Sequence, residues 1–177
     1  GAMYVASANA AASTASGTVN QTGGTVANTS LVIGGRGTGS TNGVGVYNLS
    51  GGSLTSSGTL RAGGTGTGTL NISGTGAAAF ASTTESYVGY RSGTGTVSMV
   101  SGNLSVAGEL RVGGSDVNGA TMDAVGTVTV SNATMNLGAL TLARGNYLDN
   151  SCAGTVTLKN GGTIVSTNDV ILQFAGS

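Results

Sequence analysis

The chain has no histidine, no proline and no tryptophan, a single cysteine, and charge on only 7% of its residues. Each shortage removes a class of chemistry. Without histidine there is no Ser-His-Asp triad, no imidazole metal site and no charge switch near neutral pH. One cysteine, Cys152, allows neither an internal disulfide nor a thiolate zinc cluster. Six acids balance six bases, five of them arginine, so the net charge is zero and nucleic acid finds no electrostatic footprint. No apolar run approaches the roughly 18 residues that a membrane span requires.

What the chain has instead is small residues. Its 177 positions hold 34 Gly, 26 Thr and 21 Ser, yet 38% of them are hydrophobic. The β-branched residues are spread evenly, so a narrow core can be buried and disorder is not the expectation. The length suits one domain. Residues 1–3 read as the remnant of a cleaved tag, residues 4–16 as a linker or N-terminal cap, and 17–177 as the folded domain. The stretch 4–16 is too broken by polar residues for a signal-peptide core.

A repeat runs through that domain. A Gly-Thr-type anchor recurs as GTVNQ at 17, GVYNL at 45, GTLNI at 68, GTVSM at 95, GTVTV at 126 and GTVTL at 154, at intervals of 28, 23, 27, 31 and 28 residues. Each anchor is followed by one apolar residue among small ones: Val26, Leu54, Phe80, Leu104, Met135 and Ile164. An alternating triplet comes next: LVI at 31, LRA at 60, YVG at 87, LRV at 110, LTL at 140 and VIL at 170. Period-2 segments in a fixed order, parted by glycine-rich corners, predict an all-β fold: a single-stranded, right-handed parallel β-helix (β-solenoid) of about six coils with three short strands each. With strands about 4.8 Å apart the rod is about 29 Å long. The absence of proline agrees, because an interior strand must donate to its neighbour.

Alternation assigns the inward residues. On the first strand they are Val19, Tyr47, Leu70, Val97, Val128 and Val156, then Gln21, Leu49, Ile72, Met99, Val130 and Leu158. Gln21 in the second column predicts a frayed first coil. On the third strand the outer members of each triplet point in, which sends Tyr87 to the core.

Catalytic groups are sparse. A glycosidase needs two carboxylates at a set separation. Glu85 and Glu109 lie in adjacent coils, but aligning the triplets sets Glu109 beside Ser86, one residue out of register, which points the two acids to different sides. Glu109 stands two residues before Arg111 on one face, as a surface ion pair would. No catalytic residue, and hence no enzyme, is expected. Asp116, Asn118 and Asp123 share a loop that offers oxygen ligands, but their spacing matches no calcium motif, so no cofactor is expected either. The GGRGTG and GGTGTG stretches precede no helix and cradle no phosphate.

Two surfaces remain. The outward first strand is a ladder of small polar residues: Thr18, Val46, Thr69, Thr96, Thr127 and Thr155, beside Asn20, Asn48, Asn71, Ser98, Thr129 and Thr157. Ice-binding solenoids present similar ladders. The second surface is uneven. Long loops at 34–44, 113–125 and 143–153 leave coils one, four and five, whereas coils two and three turn sharply. That predicts a groove with its floor on coils two and three. All five arginines fall on the third strand or its following loop: Arg36, Arg61, Arg91, Arg111 and Arg144. Tyr90 stands at a corner where other coils have glycine, and Tyr147 lies beyond one wall. A tyrosine ring with Arg, Asp and Asn around it suits a sugar, whose C–H groups stack while its hydroxyls take hydrogen bonds. The expected ligand residues are Tyr90 as platform; Arg61, Arg91 and Arg111 for hydroxyls or uronic acid groups; Asp116, Asn118 and Asp123 closing one side; and Glu109, Arg36 and Arg144 around them.

The coils GTGTLNISG, GTGTVSMVSG and LRVGG resemble the β-strand repeats of bacterial autotransporter passengers, which implies an exported parallel β-helix. A compact set of such coils is also similar to the β-helical carbohydrate-binding modules attached to xylanases of gut bacteria. That resemblance implies a secreted, non-catalytic module that binds xylan, with a covalently attached glycoside hydrolase as its neighbour and no nucleic acid or membrane partner. The alternatives are a structural passenger or adhesin stalk and an ice-binding solenoid.

Overall fold

The computed structural model describes residues 1–7, 14–35, 43–114, 123–144 and 151–172. Among them every regular element is a strand. In chain order these are β1 (Met3–Val5), β2 (Ala15–Gln21), β3 (Thr25–Asn28), β4 (Leu31–Ile33), β5 (Gly43–Leu49), β6 (Ser53–Ser56), β7 (Leu60–Ala62), β8 (Thr67–Ile72), β9 (Ala77–Phe80), β10 (Ser86–Tyr90), β11 (Thr94–Met99), β12 (Asn103–Gly114), β13 (Val125–Ser131), β14 (Thr134–Arg144), β15 (Ala153–Lys159), β16 (Thr163–Ser166) and β17 (Val170–Leu172).

All pairings are parallel, and each joins a strand to its counterpart one coil away. The first face is the sheet β2-β5-β8-β11-β13-β15. The second face runs through β3, β6, β9, the first part of β12, the first part of β14, and β16. The third runs through β1, β4, β7, β10, the rest of β12 and β14, and β17. The chain is therefore an all-β parallel β-solenoid of about five turns, its six first-face strands marking the starts of coils one to six. In coils four and five the second and third segments fuse into one long strand, with a register shift between Val106 and Glu109. β1 comes from the stretch expected to be tag remnant, linker or cap, and it adds a rung ahead of β4.

The Gly-Thr anchor has a steric cause. Gly68, Gly95 and Gly126 open the first face where the third face turns the corner. A Cβ on Gly68 would come within 2.1 Å of the Ile33 carbonyl oxygen, and one on Gly126 within 2.1 Å of that of Val88. The same crowding explains the corner glycines. Gly34, Gly63, Gly89 and Gly113 all have φ between 69° and 76°, and a Cβ on Gly89 would lie 2.2 Å from the Val125 carbonyl oxygen. The equivalent corner of coil five is Ala143, also at positive φ (53°). The other corners press on the first-face strand two coils further on, and among the described residues no first-face strand lies beyond β15. The alanine keeps its backbone strain there but escapes the clash.

The inward columns of the first face run as the alternation predicts, and their middle members are fully buried. Gln21 is not frayed. It is buried, accepts a hydrogen bond from the Tyr47 hydroxyl at 2.6 Å, and donates to the carbonyls of Gly24 and Ser53. Burial pushes the Tyr47 hydroxyl above its usual pKa, so it stays a donor.

Two registers differ from expectation, both in coil three. On the second face Ala78, not Phe80, pairs with Leu54 and Leu104. Phe80 lies two residues on, level with Ser56 and Val106, and is itself buried. On the third face Tyr87 pairs with Arg61 and Arg111, and Ser86 with Leu110. The inward seat therefore belongs to Ser86. Its hydroxyl accepts a hydrogen bond from the buried Leu60 N–H at 3.1 Å, so no polar group is stranded. Tyr87 is buried, but on the outward side of the sheet and not in the core.

Candidate functional site

The corrected register builds the outward side of the third face. Its central ladder is Val32, Arg61, Tyr87, Arg111, Thr141 and Ile171. Because Ser86 is level with Leu110, Glu85 is level with Glu109 on the same side. This corrects the expectation that the two acids diverge. They converge on one guanidinium. Arg111 donates from Nε to Glu109 at 3.0 Å, from Nη2 to Glu85 at 2.8 Å, and from Nη1 to the Tyr87 hydroxyl at 3.1 Å. A second Nη2 contact reaches Glu109 at 2.9 Å. Thr141 donates to the other Glu109 oxygen, and Arg144 stands 3.5 Å from it.

Burial pushes the Glu109 carboxyl up, but the hydrogen bonds from Arg111 and Thr141 and the charges of Arg111 and Arg144 outweigh it. The net effect holds Glu109 below the usual carboxylate range. Burial likewise opposes the charge on Arg111, and its bonds to Glu109 and the nearby anions reverse the effect, so its pKa rises. Both groups stay ionised. A carboxylate held in this way is a poor proton donor.

The second half of the site is a stack at the coil-three corner. Tyr90 pairs with Gly114, and the step from Val88↔Ala62 sets it level with Gly64. With a glycine on either side, no neighbouring side chain displaces the ring. Arg61 lies over it with Cζ 4.8 Å from the centroid, and Arg91 with Cζ at 5.0 Å. Tyr87 closes one side, its centroid 4.6 Å from that of Tyr90 and its plane tilted by 59°. Arg111 in turn lies 5.6 Å from the Tyr87 ring. Such cation–π contacts are worth about 0.5–1 kcal/mol each when exposed, and more when desolvated.

This geometry changes the role of Tyr90. It is 1% exposed, so it offers no open face for a sugar to stack on. It is the floor beneath two guanidiniums. Arg111 is 6% exposed and its nitrogens are engaged, so it organises the face and is not itself free to grip a ligand. Arg61, Arg91 and Arg144 are partly exposed. Asp123 is exposed two residues before Val125, whose carbonyl abuts the Gly89 corner. Arg36, Asp116, Asn118 and Tyr147, with most of the expected groove walls, lie outside the described residues. Among the described residues no group of three or more His, Cys, Asp or Glu could hold a metal ion. A shallow hollow bordered by Ser105, Asn136 and Thr167 lies over coils four to six, and its lining carries no charged side chain.

Tyr87 was not expected here. Its signal was available as Glu85-Ser86-Tyr87-Val88 against Glu109-Leu110-Arg111-Val112, had the acids been aligned in place of the apolar residues.

Comparison with family models, with curated proteins and with solved structures finds no match. The fold itself therefore defines the class, a parallel β-solenoid, and its third face carries the concentrated chemistry.

Proposed function

We propose that the chain is a non-catalytic polysaccharide-binding module of an exported protein, with xylan as its polymer and the outward third face as its binding surface. One observation carries this reading. Six of the nine charged residues among those described (Arg61, Glu85, Arg91, Glu109, Arg111 and Arg144) gather on that face, around two tyrosines packed at a tilt, in a chain otherwise almost uncharged. The Arg111 network fixes the rotamers beneath, so the outer guanidiniums meet a ligand with little entropy left to lose. Sugar hydroxyls are well matched to such directional donors. An attached glycoside hydrolase would gain substrate through effective concentration.

Native affinity electrophoresis against xylans, glucomannan, mixed-linkage glucan, pectin and a cellulose derivative tests this. Retardation by xylan is the expected result. Tyr90→Ala should weaken it at least tenfold by removing the floor under Arg61 and Arg91. The fold should survive, because Gly64 and Gly114 occupy the same rung position. Unchanged affinity in that variant would remove this face from the account. A structural stalk is the rival reading. It draws on the last coil, where Leu158, Val170 and Leu172 are each more than half exposed in columns that are buried elsewhere, as suits a surface on which further coils stack. A stalk would be retarded by none of these polymers.

A further inference from the structure

Within the site one cation is left over. Arg111 is shared by two carboxylates and a tyrosine hydroxyl. Arg61, on the same ladder with Tyr87 between them, makes no ion pair and no hydrogen bond among the described residues, and its Nε is buried without a partner. What holds it is the Tyr90 ring. Arg91 lies over the same ring and is carried there by a left-handed backbone (φ 55°). Glycine adopts that conformation without strain, whereas arginine costs about 1 kcal/mol or more. The strained turn is closed by the Gly93 N–H donating to the Tyr90 carbonyl at 3.0 Å. Among the described residues both carboxylates of this ladder, Glu85 and Glu109, are turned toward Arg111 and neither reaches Arg61.

A neutral sugar laid over Arg61 would strip water from a cation and return no charge. Its hydroxyls still accept hydrogen bonds, but they are the weaker match where the cation is already half-buried. A carboxylate matches the guanidinium fork and restores the lost solvation with two charge-assisted hydrogen bonds. We propose that Arg61, with Arg91 on the same ring, forms a carboxylate subsite that selects a uronic acid group on the polysaccharide. The module would then discriminate acidic from neutral chains of the same backbone. This inference rests on the reading of the third face as a polysaccharide-binding surface.

The test is isothermal titration with a glucuronic-acid-substituted xylan and with the same polymer after its carboxyl groups have been reduced to primary alcohols. Reduction should weaken binding at least tenfold, and added salt should weaken only the interaction with the acidic form. Arg61→Gln should abolish the difference between the two polymers. Arg61→Lys, which keeps the charge without the fork, should retain a reduced preference. Thermal melts of both variants confirm that the coils are intact. Equal affinity of the wild-type protein for both polymers would overturn the carboxylate subsite and leave the polysaccharide reading standing. A full preference persisting in Arg61→Gln would overturn the assignment to Arg61. Binding to neither polymer would overturn both readings.

Discussion

On the first face the outward residues repeat from coil to coil: Thr69, Thr96, Thr127 and Thr155 in one row, and Asn20, Asn48 and Asn71 leading the next. On the third face the same parallel backbone carries Val32, Arg61, Tyr87, Arg111, Thr141 and Ile171 in succession. The first pattern is what stacking alone rewards. Asn48 donates to Asn20 and accepts from Asn71, both at 2.8 Å, so each rung satisfies the next. The third pattern cannot be explained by repetition. Its residues differ from rung to rung and still interlock through Arg111, so like-on-like stacking does not account for them.

The two faces should respond differently to substitution. The largest effect is expected at the third-face corner. Gly89→Ala combines positive φ with a contact to backbone that cannot yield, and should cost about 3 kcal/mol or more in chemical denaturation. Ala143→Gly, at the corner without that neighbour, should be near neutral or slightly stabilising. Next comes Arg111→Ala, which leaves Glu109 ionised and largely buried, with Thr141 and Arg144 as its remaining partners. A loss of about 3 kcal/mol is expected, and an equal loss from Asn48→Ala would erase the contrast between the faces.

Acid sharpens the comparison further. Glu109 has a folded pKa below its ordinary value of 4.5. Its contribution is therefore present above 4.5 and is lost as pH falls through the lower folded value. Melting temperature should drop over that interval, and the drop should shrink in Glu109→Gln. Among the described residues the first-face strands carry no carboxylate, so that face should add nothing to the slope. The smallest of the losses belongs to Asn48→Ala, which breaks two exposed or part-buried amide hydrogen bonds and should cost about 1 kcal/mol.

Much of this was legible in the sequence, for a physical reason. A parallel solenoid puts like beside like, so the Gly-Thr anchors and the columns Val97–Val128 and Ile72–Met99 recur in the chain as they do in space. Coil three resisted, because there the core is filled by exchange between positions. Ala78 is small where its neighbours are large, and Phe80 supplies the volume two residues later. Ser86 takes an inward seat that apolar alignment gave to Tyr87, because its hydroxyl accepts the Leu60 N–H. The clustering of arginines on one face was readable from spacing. The burial of Tyr90 was not, since it depends on side chains from two coils closing over one ring.

The central claim is that the third face, not the first, meets the polysaccharide. The direct measurement compares xylan affinity of the wild-type protein with that of Thr96→Tyr, which places a bulky ring on the first face, and of Tyr90→Ala on the third. The account predicts wild-type affinity for Thr96→Tyr and at least a tenfold loss for Tyr90→Ala. Loss in Thr96→Tyr with wild-type affinity in Tyr90→Ala would contradict it and move the binding surface to the threonine ladder.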